Sequence, residues 1–226
     1  MPIANYDRRH KQAGVNREIL SLVSERQFYI DPSRCIGCNA CVQACAECDT
    51  HPGVSMIHLE QIERADTVQT TPIVCMHCEE PACAMVCPAD AIKKTPDGVV
   101  QSSLKPRCIG CTNCVFACPF GVPKYDVEID QMMKCDMCYD RTSIGLKPMC
   151  ATVCPSGALF YGTPEELAEQ RGGTAINEFK FGSRTIRTKV HLMMPKGSTS
   201  LTVDPTITVR KTDLLNSVRL VERSDS

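Results

Sequence analysis

Seventeen cysteines stand in this chain of 226 residues, all from Cys35 to Cys154, and sixteen of them form four groups of four. The first group is Cys35-x2-Cys38-x2-Cys41-x3-Cys45, and the second is Cys75-x2-Cys78-x4-Cys83-x3-Cys87. The third is Cys108-x2-Cys111-x2-Cys114-x3-Cys118, and the fourth is Cys135-x2-Cys138-x11-Cys150-x3-Cys154. Three groups close on Cys-Pro, at Pro88, Pro119 and Pro155. This is the spacing that holds iron–sulfur cubanes, so the chemistry implied is one-electron exchange through four [4Fe–4S] clusters. In two-cluster ferredoxins the fourth cysteine of such a run serves the other cluster. Cys45, a helical turn beyond Cys41, is expected to point away from its own loop.

Rival chemistries fit less well. Structural zinc takes two cysteine pairs separated by a spacer. The first and third groups each crowd three sulfurs too closely for that plan. A disulfide framework suits small secreted domains. A radical enzyme shows a three-cysteine loop with open iron coordination, whereas each group here has its fourth cysteine. No Ser/His/Asp constellation or Gly-x-Gly-x-x-Gly fingerprint stands out, so no catalytic residue is assigned. Cys48 is left over and reads as a buried or partly exposed structural thiol near the first group, with an alternate-ligand role as the weaker reading. His77, inside the second group, reads either as a hydrogen-bond donor to a cluster or as a solvent-facing loop residue. Met132, Met133, Met137 and Met149 are expected to pack around sulfur and iron. Lys105, Arg107, Lys124, Lys134 and Arg141 flank the cysteines and could offset cluster charge, with a solvated surface as the default expectation.

The elements that must position these loops are short. Ile19, Leu20, Leu22 and Val23 have helix-like spacing, too brief to stand alone. Gln27 to Ile30 reads as a strand. Residues 46–71 are polar and end at Thr70-Thr71-Pro72, which predicts a connecting segment with a short strand over Ser55–Leu59. Asp97-Gly98 is a hairpin-turn signal. Thr163-Pro164-Glu165-Glu166 starts a helix, with Thr163 as cap and Glu166 closing a capping box, and Gly172-Gly173 ends it. Ile186, Val190 and Leu192 alternate with Arg187, Lys189 and His191 as in a half-buried strand. Leu201 to Arg210 is a further extended piece, broken at Pro205.

Composition narrows the function class. Net charge is -1, which offers no field for nucleic acid or an anionic membrane. Tryptophan is absent and aromatics make up 5%. Large aromatics usually fill a core of this size, so clusters are expected to take their place. Such binding is also folding energy, and the chain without its clusters is expected to fold poorly. Met1 to Ile30 shows no apolar signal core behind Arg8-Arg9, and no stretch reaches a membrane span. Cluster insertion is therefore expected in a reducing cytoplasm, with export on a signal-bearing partner still open.

The stretches CIGCNACVQAC, CMHCEEPACAMVCPADAI, RCIGCTNCVFACPFGVPKY and KCDMCYDRTSIGLKPMCATVCPSGALFYG cover roughly residues 28–163. They resemble the four-cluster iron–sulfur subunits of molybdopterin oxidoreductases, the dimethyl sulfoxide, polysulfide, thiosulfate and nitrate reductases and membrane formate dehydrogenases. The resemblance implies an α+β, loop-rich fold of two ferredoxin-like modules, one inserted in the other. Residues 28–71 and 125–163 would form the outer module and 72–124 the inserted one. Residues 1–27 and 164–226 would be extensions, the latter a helix with an extended docking tail. It also implies crossed ligand sets: Cys35, Cys38, Cys41 and Cys154; Cys45, Cys135, Cys138 and Cys150; Cys75, Cys78, Cys83 and Cys118; Cys87, Cys108, Cys111 and Cys114. Some members carry tryptophan in the third group and a three-iron cluster, but this chain keeps Cys108, Cys111 and Cys114, which implies four [4Fe–4S] clusters. Ala46 stands where proline follows the other fourth cysteines. The implied role is an electron-transfer subunit between a molybdenum or tungsten catalytic subunit and a quinone-reactive membrane anchor or a soluble carrier. A free polyferredoxin is the alternative, disfavoured by the near-neutral charge and the residues beyond the cluster core.

Overall fold

A computed structural model describes residues 25–48, 51–63, 68–104 and 107–194. The helical signal at 19–23, Lys105 and the extended piece at 201–210 lie outside these residues. The described residues are mixed α and β, with one four-stranded sheet, two two-stranded ribbons and short helices.

The main sheet is built from strands distant in sequence. Strand β1 (Gln27–Ile30) lies antiparallel to β6 (Leu159–Gly162) and parallel to β8 (Arg184–Met194), which pairs antiparallel with β7 (Thr174–Phe181). The register explains the burial. Phe28 faces Tyr161 and Val190, and Ile30 faces Leu159 and Leu192, so one face is apolar and meets the cysteine-rich core. Tyr29, Phe160 and Met193 line the other face under Leu167 of helix α6 (Pro164–Gln170). A slip of one residue would exchange the two faces. The cap of α6 forms as expected: Thr163 Oγ1 accepts from Glu166 N at 3.3 Å, and Glu166 Oε2 accepts from Thr163 N at 3.1 Å.

The C-terminal extension is described as far as residue 194. Residues 174–194 form a hairpin turning at Gly182 (φ +59°), and β8 occupies an interior position of the sheet. The segment expected to be a connector differs. Strands β2 (His58–Glu63) and β3 (Val68–Ile73) form a hairpin, with Pro72 opposite Leu59. Proline is tolerated there because a two-stranded ribbon leaves half its backbone donors unpaired. Ser55 is outside the strand, its hydroxyl donating to Ile57 O at 2.7 Å. Asp97-Gly98 does turn the chain, between the bridged residues Lys94 and Val100. A third hairpin joins β4 (Lys124–Asp126) and β5 (Gln131–Met133).

Helices α1 (Ala40–Ala46), α2 (Ala82–Met85), α3 (Asn113–Ala117), α4 (Tyr139–Thr142) and α5 (Met149–Val153) carry or flank cysteines. All are too short to be stable alone. Instead α1 packs on α5, and α2 packs on α3. Proline sets their ends: Cys118 and Cys154 are held extended at ψ 117° and 106° before Pro119 and Pro155, stopping α3 and α5. Ala46 imposes no such stop, and α1 runs through Cys45. Among the described residues no helix is long and apolar enough to cross a membrane.

Candidate functional site

Each cysteine group opens with a Cys-x2-Cys loop whose third residue has a positive φ: Gly37 at 70°, His77 at 47°, Gly110 at 65° and Met137 at 61°. In the first and third groups a second such residue, Asn39 or Thr112, leads into the helix. This conformation turns successive backbone N–H groups to one side and makes an anion-binding concavity, as at many iron–sulfur sites. At Gly37 space adds to the demand, since a Cβ would stand 3.2 Å from Thr70 Cγ2.

The loops and helices gather the sulfurs across groups. Cys154, at the end of α5, lines one cavity with Cys35, Cys38 and Cys41, walled by Leu59, Pro72 and Leu159. Cys45 lines a second with Cys135, Cys138 and Cys150, walled by Phe28, Ile57, Val74 and Val190. Cys87 lines a third with Cys108, Cys111 and Cys114, beside Ile92 and Met132. Cys78 stands close enough to Cys75, Cys118 and Cys83 for all three to act on its charge. The four gatherings neighbour one another. Cys41 acts on Cys150, Cys75 borders the cavity of Cys135, and Cys83 shares an apolar cluster with Cys114.

The electrostatics of these sulfurs ask for a cationic guest. Burial, then Cys154 and Cys35, pushes the Cys41 thiol up to about 11. Burial, then Cys75 and Cys118, pushes Cys78 up to about 12. Burial also pushes Cys83 to about 11 against the pull of Lys134, and raises Cys114, Cys135 and Cys150. Cys138 is raised first by its hydrogen bond with Cys48 and then by burial. Thiolates so placed need positive charge bonded to sulfur. Yet among the described residues no three His, Cys, Asp or Glu side chains close on a single metal ion. Zinc would need its sulfurs within about 2.3 Å of one point. A cubane, which offers each sulfur its own iron, fits the donor sets. Backbone donors already aim at sulfur: Met56 N at Cys45, Ala91 N at Cys87 and Met137 N at Cys135, each at 3.3 Å. Such bonds set cluster potentials.

Several polar side chains around the sulfurs escape sequence reasoning. Thr70 Oγ1 donates to Cys35 Sγ at 3.1 Å, from the hairpin expected to be a connector. His51 is buried with Nε2 4.0 Å from Cys45 Sγ. Burial alone would lower its pKa, but Cys45, Asp136 and Cys48 overrule it and hold it at about 9. Lys134 corrects the expectation of a solvated surface. It is 1% exposed, and its Nζ donates to the carbonyls of Val100 and Cys135. Arg107 and Lys124 are exposed, Arg141 half-buried. His77 is buried, not solvent-facing, and burial followed by Lys134 and Lys189 holds it well below the usual imidazole range. Cys48 is buried with its Sγ 3.7 Å from Cys138 Sγ. Met132 and Met137 are buried and Met133 packs against the core; Met149 is half-buried at the start of α5.

Comparison with known proteins agrees with this chemistry. Residues 66–164 match the 4Fe-4S dicluster domain family and residues 28–45 the 4Fe-4S binding domain family. The B subunit of anaerobic dimethyl sulfoxide reductase from Escherichia coli K12 is 38% identical over 167 residues, spanning 68% of this chain and 81% of that protein. The Haemophilus influenzae protein of the same name is 36% identical, spanning 66% and 78%. The iron-sulfur subunit of E. coli nitrate-inducible formate dehydrogenase is 37% identical, spanning 63% of this chain and 56% of that protein. Electron transfer through 4Fe–4S clusters is the role that the sulfur sets and these relatives share, and the chain belongs to the 4Fe–4S iron–sulfur subunit family of molybdopterin oxidoreductases.

Proposed function

We propose that the chain is a four-cluster wire whose ligand sets are crossed between groups. The first cluster takes Cys35, Cys38, Cys41 and Cys154; the second Cys45, Cys135, Cys138 and Cys150. The third takes Cys75, Cys78, Cys83 and Cys118; the fourth Cys87, Cys108, Cys111 and Cys114. The observation that carries this reading is the wall of three cavities, where three sulfurs of one group meet the last sulfur of another, one of them also bordered by Cys75; for the remaining set the support is the mutual influence of Cys75, Cys83 and Cys118 on Cys78. The helix pairs α1–α5 and α2–α3 support an inner ferredoxin-like module, 72–124, inserted in an outer one, 28–71 with 125–163.

Each cluster exchanges one electron without binding substrate. The residues do the rest. Apolar walls exclude water, N–H and O–H donors point at sulfur, and contacts between successive sets favour the order first, second, third, fourth. Cys38 and Cys111, at the two ends, are exposed, as are the neighbouring Ile36 (67%) and Ile109 (63%). An exposed sulfur with an exposed isoleucine two residues away suits docking of redox partners at both ends. By family, these are a molybdopterin-containing catalytic subunit and a membrane anchor or other carrier, through which the chain is held at the membrane. Anaerobic purification from native extract tests this. The expected product is a complex with a molybdenum or tungsten subunit, carrying four reducible clusters in this chain. A stable, reducible lone monomer would leave the polyferredoxin reading instead.

A further inference from the structure

The cavity lined by Cys45, Cys135, Cys138 and Cys150 has one polar atom unaccounted for. His77 lines it and is 1% exposed. Its Nδ1 accepts a hydrogen bond from Val100 N at 3.0 Å. A ring nitrogen that accepts does not carry the proton, so the proton of His77 sits on Nε2. That Nε2 is buried and finds no partner among the described residues. A buried donor left without an acceptor forfeits its hydration with nothing in return. The ring is nevertheless held with some effort. His77 has φ +47°, a region that residues other than glycine seldom enter, and its carbonyl is tied to strand β8 by Lys189 N at 3.0 Å. Around the cavity Phe28, Ile57, Val74 and Val190 offer no side-chain acceptor, whereas the sulfurs do.

We propose that His77 donates its Nε2–H to a sulfur of the cluster held by Cys45, Cys135, Cys138 and Cys150, and so raises that cluster's reduction potential. The inference rests on the ligand set proposed above. Reduction adds negative charge to the sulfurs, and a hydrogen bond to a more negative acceptor is stronger. His77 belongs in sequence to the loop of Cys75 and Cys78 but serves the neighbouring cluster, so one residue joins the second and third sets.

The test uses the chain purified anaerobically with its clusters, followed by redox titration with electron paramagnetic resonance. His77→Leu removes the donor, and His77→Asn keeps a residue that tolerates positive φ while shortening the reach. Cys150→Ala identifies which signal belongs to the set. In both His77 variants the signal abolished by Cys150→Ala should persist. Its reduced-to-oxidised ratio at fixed potential should fall about tenfold, or about 59 mV for one electron. In chain labelled with 15N-histidine, that signal should carry a nitrogen coupling that survives His51→Gln and vanishes in His77→Leu. If one variant fails to fold, the other carries the titration. Unchanged potentials and no His77 coupling, with one cluster lost in Cys150→Ala, would overturn the donor and leave the ligand set standing. Four clusters retained in Cys150→Ala would overturn both.

Discussion

Replacing Lys134 with methionine should lower the potentials of the inner clusters. The side chain is 1% exposed, and among the described residues its Nζ bonds to the carbonyls of Val100 and Cys135 and no carboxylate forms a salt bridge with it. A buried ammonium without a partner is costly unless a fixed negative charge stands near. The sulfurs supply one, since Lys134 is the strongest influence opposing burial at Cys83. Two unit charges at an effective dielectric of 20 interact by about 4 kcal/mol at 4 Å, hence about 2 kcal/mol at twice that distance. The added electron feels the same attraction. Losing the charge should therefore lower a neighbouring potential by about 90 mV, taking about 59 mV per tenfold change for one electron. Lys134→Met approximates the stem without the charge, and Lys134→Arg should keep most of the effect. Redox titration of the purified chain measures it. Potentials unmoved in Lys134→Met, with all clusters present, would mean that Lys134 is not the counter-charge of the clusters.

Two further outcomes follow from groups at the sulfurs. Thr70→Val removes the hydroxyl donor to Cys35 Sγ, a bond worth about 1 kcal/mol, so one potential should fall by about 40 mV while Thr70→Ser holds it. His51 has its pKa raised from 6.5 to about 9 by Cys45, Asp136 and Cys48 against burial. Its stabilisation is thus fully present below pH 6.5 and lost as pH rises through 9, an order-of-magnitude gain of about 3 kcal/mol at most. Bleaching of the visible cluster absorbance should therefore accelerate in His51→Gln relative to the parent chain at pH 6. The two should converge above pH 9, and a gap that widens with pH would contradict the assignment.

Much of the frame is legible locally. The strand at Gln27–Ile30, the Asp97-Gly98 turn and the capping box at Thr163 are written in adjacent residues, and each forms. The β2–β3 hairpin is not, because its polar composition and Pro72 imitate a connector and its support comes from pairing across the ribbon. Strand β7 lies at a sheet edge, with alternate residues facing solvent, and carries too weak an apolar pattern to be read. The site divides the same way. The cluster chemistry that the cysteines point to is evident from spacing. Which sulfurs share a cavity is not, since Cys154 and Cys35 are joined only by tertiary packing, and the family resemblance supplied that pairing. Lys134 reads by default as a surface residue, and His77 is left open between cluster and solvent, because burial by distant elements leaves no mark on neighbouring sequence.

The central claim is that the last cysteine of each group serves another group's cluster, and Cys154→Ala tests it most directly. Spectroscopy of the purified variant should show loss or conversion of the cluster held by Cys35, Cys38 and Cys41, the same signal removed by Cys38→Ala, with the other three intact. Loss of the signal removed by Cys138→Ala, with the Cys38-dependent signal unchanged, would contradict the crossed pairing.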